Sequence, residues 1–369
     1  VTTPVLAPSR AALPWPAILR WCIGSAVLAA LLVSAGAVQD GGIERILFTG
    51  DEGPAAAAVL RDMPDADLLV DDVGHDGQHF YVLARNLPHL SEAEEDLGLR
   101  PGYRAQRIGL PLTARVLHPW GGGGRDLVVA LLVANALGIL AGAIGISVLV
   151  TSKGGPAWVG ALFPWLPACV QGLQTTLADA YSAGLAMAAL AAAHRRRPIL
   201  AFVFAVLALL GKEASLVVFA GWIFWALLRR VEWRAWLPLA AAVVPVGLWF
   251  LLLRSMFPGP RLQGEEFVVP LSGMVDAIFA TIDGVRGATG IGLGTSVLVF
   301  VGLVLLAAFG DHRTPWPWIA LGLAAYQTLL QDAYWFKTIN SLRFTVAGAA
   351  VLLVVLGERL ARSRAPAAA

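Results

Sequence analysis

Apolar residues in this chain come in blocks of helix-spanning length, longer and more numerous than the core of a soluble domain requires. Ten such blocks are legible, at 17–38, 127–150, 157–171, 176–193, 199–210, 214–228, 236–253, 291–309, 316–330 and 344–356. They predict an all-α, polytopic transmembrane bundle forming a single integral-membrane domain over 1–369. Several blocks fall short of the ~20 residues that cross a bilayer, as expected where a helix stops at a water-filled cavity. Pro164, Pro167 and Pro245 lie inside blocks, and neighbouring membrane helices can satisfy the backbone groups that such prolines free. The first block has no small-residue cleavage site and is expected to stay as an anchor.

Composition agrees. Hydrophobic residues make up 57% of the chain and charged residues 14%, against about 25% charged in soluble domains. Mean hydropathy is +0.70. Cys22 and Cys169 both sit inside apolar blocks and read as packed thiols.

The placement of charge says more than its total. With the N-terminus inside, the cytoplasmic segments collect Arg10, Arg20, Lys153, Arg195, Arg196, Arg197, Arg229, Arg230, Arg234, Arg313, Arg359, Arg362 and Arg364. Only Glu232, Asp311 and Glu358 accompany them, a balance of +10 inside against −8 outside. The positive-inside rule therefore predicts two cytoplasmic termini in a plasma membrane. Nothing in the charge points to nucleic acid.

The outer side holds the long segments, at 39–125 and 257–290. The first carries fourteen of the twenty-five acids and interleaves them with short apolar runs, so one or two short helices along the membrane surface are expected there. Its densest polar stretch is Asp71-Asp72-Val73-Gly74-His75-Asp76-Gly77-Gln78-His79-Phe80-Tyr81. Arg104 and Arg107 follow at i and i+3, a spacing that turns both toward one site. Other polar residues mark span ends. Asp179 opens the fourth span, Lys212 and Glu213 split a long apolar run, and Lys337, Asn340 and Arg343 precede the tenth. A Lys-Glu pair is costly in lipid, so the chain is expected to meet water or a polar cavity there.

Two of these stretches resemble a known family. His75-Asp76-Gly77-Gln78-His79-Phe80-Tyr81, with Ala84-Arg85-Asn86 after it, looks like the DGQ-x-(F/Y)-Y-x-x-A element of many bacterial GT-C membrane glycosyltransferases. Tyr103-Arg104, Arg107-Ile108 and Pro111 resemble their following YR-x-x-R-I-x-x-P element, and Lys212-Glu213 fits their short Lys-Glu break. The resemblance implies an inverting transferase that moves a sugar from a polyprenyl-phosphate donor to an extracytoplasmic glycan or lipid acceptor. It implies a key aspartate in the first outer loop, and a last-loop arginine, here Arg343, on the donor phosphate. Family members often carry two adjacent acids in that loop; here Asp71-Asp72 and Asp76 compete for the role. Many also carry a soluble C-terminal domain; here an acceptor-binding module is expected to be absent or supplied by a partner.

Such chemistry needs a base at the acceptor hydroxyl and cations where charge gathers on the departing phosphate. Asp76 is the first choice of base and Asp72 the second. Gln78, Tyr81, Arg104, Arg107, Asp179, Lys212, Glu213, Lys337 and Arg343 are the expected substrate contacts. Plainer readings stand beside these. Asp76 suits a helix cap, Arg104 and Arg107 suit lipid headgroups, and Asp179, Lys212 and Glu213 suit a structural ion network. His75 and His79 are spaced for a metal pair but lack an evident third ligand, and no cofactor is expected. A transporter of lipid-linked sugars or anions, and a non-catalytic envelope-assembly subunit, are the competing functions. No nucleotide-binding or serine-hydrolase element is present.

Overall fold

The computed structural model describes residues 12–39, 41–98, 100–257, 270–282, 290–330, 335 and 338–364. Arg10, Lys337 and most of the 257–290 segment lie outside them. The described chain is helical, with no strand and one isolated bridge, Gly50 to Leu69.

Five helices are long and apolar enough to cross a membrane. They are α1 (Trp15–Gln39), later α7 (Arg125–Thr151), and the continuous stretch Leu237–Met256, with Gly292–Phe309 and Leu342–Ser363 completing the set. The remaining predicted spans are shorter. The 157–171 block is not one helix: a 3₁₀ stretch, Ala157–Trp165, turns at Leu166 into a short helix, Pro167–Gln174. Pro164 and Pro167 explain the break, because each removes a backbone donor.

Between α1 and α7 the first loop folds into α2 (Ala56–Asp62), α3 (Asp76–Arg85), α4 (Glu94–Leu97), α5 (Pro101–Ala105) and α6 (Gly109–Leu117). This differs from the expected one or two surface helices. Every residue of α3 from Gly77 to Ala84 is buried, so α3 is a core element of the loop. Ion pairs fix this layer to the bundle. Arg125, at the start of α7, grips the buried Glu44 with two bonds of 2.9 and 2.8 Å. Asp62 accepts 2.6 and 3.1 Å bonds from Arg85 and a 2.8 Å bond from Tyr81.

After Pro167–Gln174, here α8, come α9 (Ala178–His194), α10 (Pro198–Gly211) and α11 (Ser215–Leu228). Then follow α12 (Leu237–Ala241), α13 (Val243–Met256), α14 (Ser272–Ile282), α15 (Gly290–Phe309), α16 (Trp316–Thr328) and α17 (Thr338–Arg364). The centre of the bundle is α9, buried from Ala178 to Ala193. Its alanine-rich sequence lets neighbours approach closely. On α7, Gly138, Gly142 and Gly145 face Tyr181, Gly184 and Ala188 of α9; a methyl group on Gly142 would lie 2.5 Å from the Gly184 Cα. This close seam places Asp179, in the first turn of α9, directly beneath the loop layer.

Candidate functional site

Asp76 begins α3. The N-cap position belongs to His75, so Asp76 is not the helix cap, and its carboxylate is spent on cations instead. It accepts 2.6 Å and 3.3 Å bonds from Arg343 and Arg107 on one oxygen, Oδ2. The Arg343 Nε donates to Asp179 at 2.8 Å. Lys212 lies 3.4 Å from the other Asp179 oxygen and 3.9 Å from Glu213. Arg107 closes the circuit with a 3.1 Å bond to Glu213 and a 2.8 Å bond to the Tyr103 hydroxyl. Three acids and three bases, drawn from the loop layer, α9, the α10–α11 break and the start of α17, thus form one network.

The break between α10 and α11 is what admits Lys212 and Glu213. Lys212 leaves the helix with extended backbone, φ −157° and ψ 129°. At about 1.5 Å per residue, the fourteen-residue α10 reaches only part of the way across a bilayer, and its end meets a polar interior.

Beside the network is a cavity of about 330 Å³, lined by Asp76, His79, Phe80, Arg100, Tyr103, Arg104 and Arg107. Arg104 donates to the His79 Nδ1 at 3.3 Å and to the Leu97 carbonyl. Neither is a carboxylate, and Arg100 makes no ion pair among the described residues. The six-member network balances to zero, so Arg100 and Arg104 leave the cavity with a surplus of two positive charges.

These charges set the protonation states. Burial pushes the Asp76 carboxyl up, but Arg343, Arg107 and Lys212 outweigh it and hold it well below the usual carboxylate range. Asp76 is therefore ionised in the resting protein, and a poor proton acceptor while both guanidinium groups hold it. Burial and the neighbouring Arg104 push His79 down to about 3. It is neutral near pH 7, with Nδ1 accepting from Arg104 and Nε2 carrying the proton.

Of the expected site residues, the fold gathers Asp76, Arg104, Arg107, Asp179, Lys212, Glu213 and Arg343. Asp72 stands apart: its Oδ1 accepts from the Gly74 N–H at 2.7 Å, a local turn. Gln78 is fully buried and donates to the Val73 carbonyl at 2.7 Å, pinning the loop before α3. Tyr81 is also fully buried. Its hydroxyl donates to Asp62 and accepts from the Gly124 N–H at 2.6 Å, on the side of α3 away from Asp76. Burial and Asp62 push this phenol up. Gly77 serves packing as well: a Cβ there would lie 2.6 Å from the Leu47 and Thr175 carbonyls. Lys337 lies outside the described residues. His75 packs at a tilt against Phe48, with ring centroids 5.2 Å apart, and it and His79 form no metal-holding group among the described residues.

Arg100, Tyr103 and His79 join the site without having been singled out as contacts. The run Arg100-Pro101-Gly102-Tyr103-Arg104 carried the signal, since Arg100, Arg104 and Arg107 recur at helical spacing.

Comparison of the chain with family models, curated proteins and solved structures gave no match.

Proposed function

We propose that this protein is a membrane glycosyltransferase that moves a sugar from a polyprenyl-phosphate donor to a glycan or lipid acceptor on the outer face. The observation that carries the reading is the cavity beside Asp76, where one carboxylate adjoins Arg100 and Arg104, cations with no carboxylate partner among the described residues. In the reaction, the acceptor oxygen bonds to the anomeric carbon, and the bond from that carbon to the phosphate oxygen breaks with its electron pair. The acceptor proton goes to Asp76. The donor phosphodiester carries one negative charge and the departing polyprenyl phosphate approaches two. A surplus of two positive charges therefore favours the leaving group over the ground state, which is the condition for catalysis.

The donor also prepares the base. Its phosphate competes with Asp76 for Arg343 and Arg107, and each guanidinium drawn away restores basicity to the carboxylate. Donor thus binds before acceptor. The Arg104→Gln variant removes half the surplus charge at a side chain outside the balanced network. Incubated with polyprenyl-phosphate sugars, purified protein is expected to release polyprenyl phosphate, with Arg104→Gln weakening donor binding by about tenfold or more. Absence of release with every donor, together with passage of the same lipid across a vesicle membrane, would favour a transporter, a reading that the Lys212–Glu213 break between two short helices also supports.

The proposed topology has ten crossings, both termini in the cytoplasm and the Asp76 cavity outside. His89 and Arg196 are both exposed and fall on opposite sides in this arrangement. A membrane-impermeant thiol reagent should label a cysteine at position 89 in intact cells and spare one at position 196. The reverse pattern would put the cavity in the cytoplasm and remove the outer-face acceptor.

A further inference from the structure

A second cavity lies at the other end of the bundle. It encloses about 430 Å³ and is lined by residues that include Lys153, His194, Arg229, Arg313, Trp316 and Glu358. Two helices carry both sites. Asp179 and His194 stand near the two ends of α9, and Arg343 and Glu358 are spaced in the same way along α17. At 1.5 Å per residue, each pair is about 22 Å apart along its helix. The second cavity is therefore separate from the Asp76 network, and on the cytoplasmic side in the topology proposed above.

Its charges are uneven. Glu358 is the one acid among the described lining residues, buried at 7% exposure, and its Oε1 accepts a 2.9 Å bond from the Trp316 indole. Lys153, Arg229 and Arg313 make no ion pair among the described residues. Arg229 spends one donor on the His312 carbonyl at 3.1 Å, and Lys153, Arg229 and Arg313 are all exposed, so their remaining donors are open to a ligand in exchange for water. Without counting His194, the lining has a surplus of two positive charges.

The opposite wall is aromatic. Trp222 meets Trp225 and Trp316 edge-on, with centroids 5.4 and 6.1 Å apart. All three indole N–H groups are committed: Trp222 to the Ala235 carbonyl, Trp225 to the Arg313 carbonyl and Trp316 to Glu358. The three rings are packed into the bundle at 1%, 1% and 4% exposure, so they form a rigid backing with almost no free surface, while the cations offer only donors. The Ser152 and Thr314 hydroxyls already donate to backbone carbonyls. A ligand must accept many hydrogen bonds and bring about two negative charges, and the 430 Å³ volume leaves room for more than a phosphate group.

We propose that this cavity is a second binding site, for a phosphate monoester whose phosphate is held by Lys153, Arg229 and Arg313 and whose organic portion takes up the remaining volume. Guanidinium groups match phosphate oxygens in pairs, and basic pockets between membrane helices hold anionic headgroups. The ester is either a lipid or a soluble molecule, and two probes separate them. Phosphatidic acid, against phosphatidylcholine, is read by retention on the full chain in native mass spectrometry. Glycerol 3-phosphate, in detergent without phospholipid, is read by equilibrium dialysis.

Retention of phosphatidic acid alone identifies a lipid; binding of glycerol 3-phosphate as well identifies a soluble ester. In either case Lys153→Gln with Arg313→Gln should weaken binding by about tenfold or more, while Arg104→Gln, at the other cavity, leaves it unchanged. Glu358→Gln keeps the acceptor for Trp316 and removes the opposing charge, so it should tighten binding several-fold, a gain that misfolding does not produce. Binding of neither probe, loss that follows Arg104→Gln instead of the Lys153 and Arg313 pair, or no tightening in Glu358→Gln overturns the proposal. This site stands or falls independently of glycosyl transfer, because none of its residues belongs to the Asp76 network.

Discussion

Asp76→Asn is expected to lower sugar transfer by on the order of 10²-fold or more, the usual scale for general-base catalysis, while donor binding stays within a few-fold of the parent. The substitution keeps the size and one acceptor oxygen of the side chain, so Arg343 and Arg107 retain a hydrogen-bond partner at the position of Oδ2. What it removes is the capacity to take a proton. Two cations lose their full counter-charge, which favours the anionic donor and leaves any loss in turnover attributable to the missing base. Asp72→Asn is the control. The Asp72 side chain closes a local turn on Gly74 and touches no member of the network, so transfer should be unchanged. Rates from purified protein, with donor affinity measured separately, decide the matter. Near-normal transfer by Asp76→Asn with loss in Asp72→Asn would move the base to Asp72. Full activity in both would remove the first loop from catalysis and leave the assembly-subunit or transporter reading.

The second large effect is on stability. Arg343→Met is expected to destabilise the protein by about 3–5 kcal/mol, the range for removing one partner of a buried ion pair. The Arg343 side chain is 12% exposed and bridges Asp76 at 2.6 Å and Asp179 at 2.8 Å. Without it, two carboxylates face each other with only Lys212 and Arg107 to offset them. A variant offered simply as a donor-binding mutant would thus be confounded by folding. Arg343→Lys should recover part of the loss and no more, because an ammonium group lacks the planar fork that reaches two acids at once. Arg343→Met combined with Asp179→Asn should be more stable than Arg343→Met alone, since one stranded charge has gone. Thermal unfolding in detergent measures all three. A double variant no more stable than the single one would show that Asp179 does not depend on Arg343 for its charge balance.

Much of this arrangement was legible along the chain. Apolar blocks of spanning length predicted a helical chain, because lipid leaves the backbone no other partner than itself, and the described chain is helical with five helices long and apolar enough to cross a membrane. The Lys212–Glu213 interruption marked a polar interior, since an ion pair in lipid is too costly to keep without one. Arg104 and Arg107 were read as a pair through helical spacing, and both line the cavity, although α5 ends at Ala105 and Arg107 reaches it from the following turn. Asp76 stood out by position next to Gly77 and Gln78, and the fold does bring it to the cations at the span ends.

Other features were decided only in three dimensions. Asp72 and Asp76 are near-equivalent in sequence, and what separates them is the entry of α3 into the core, which turns one carboxylate toward Arg343, 267 residues away, and leaves the other on a turn. Tyr81 and Gln78 read as sugar contacts because both are polar and close to Asp76. Their helix face is buried, so each instead satisfies a neighbour: Tyr81 binds Asp62, and Gln78 binds the Val73 carbonyl. Gly77 likewise answers to the Leu47 and Thr175 carbonyls. The cavity at Lys153, Arg229 and Arg313 was hidden for the same reason. Along the chain those residues are scattered basic positions that satisfy an orientation rule. Only the packing of α7, α9, α11, α16 and α17 brings them around one acid and three tryptophans. Sequence determines which segments leave water and which charges cannot, because those are local free energies of transfer. Which charge meets which is a property of the closed bundle, set by side chains from helices far apart in the chain.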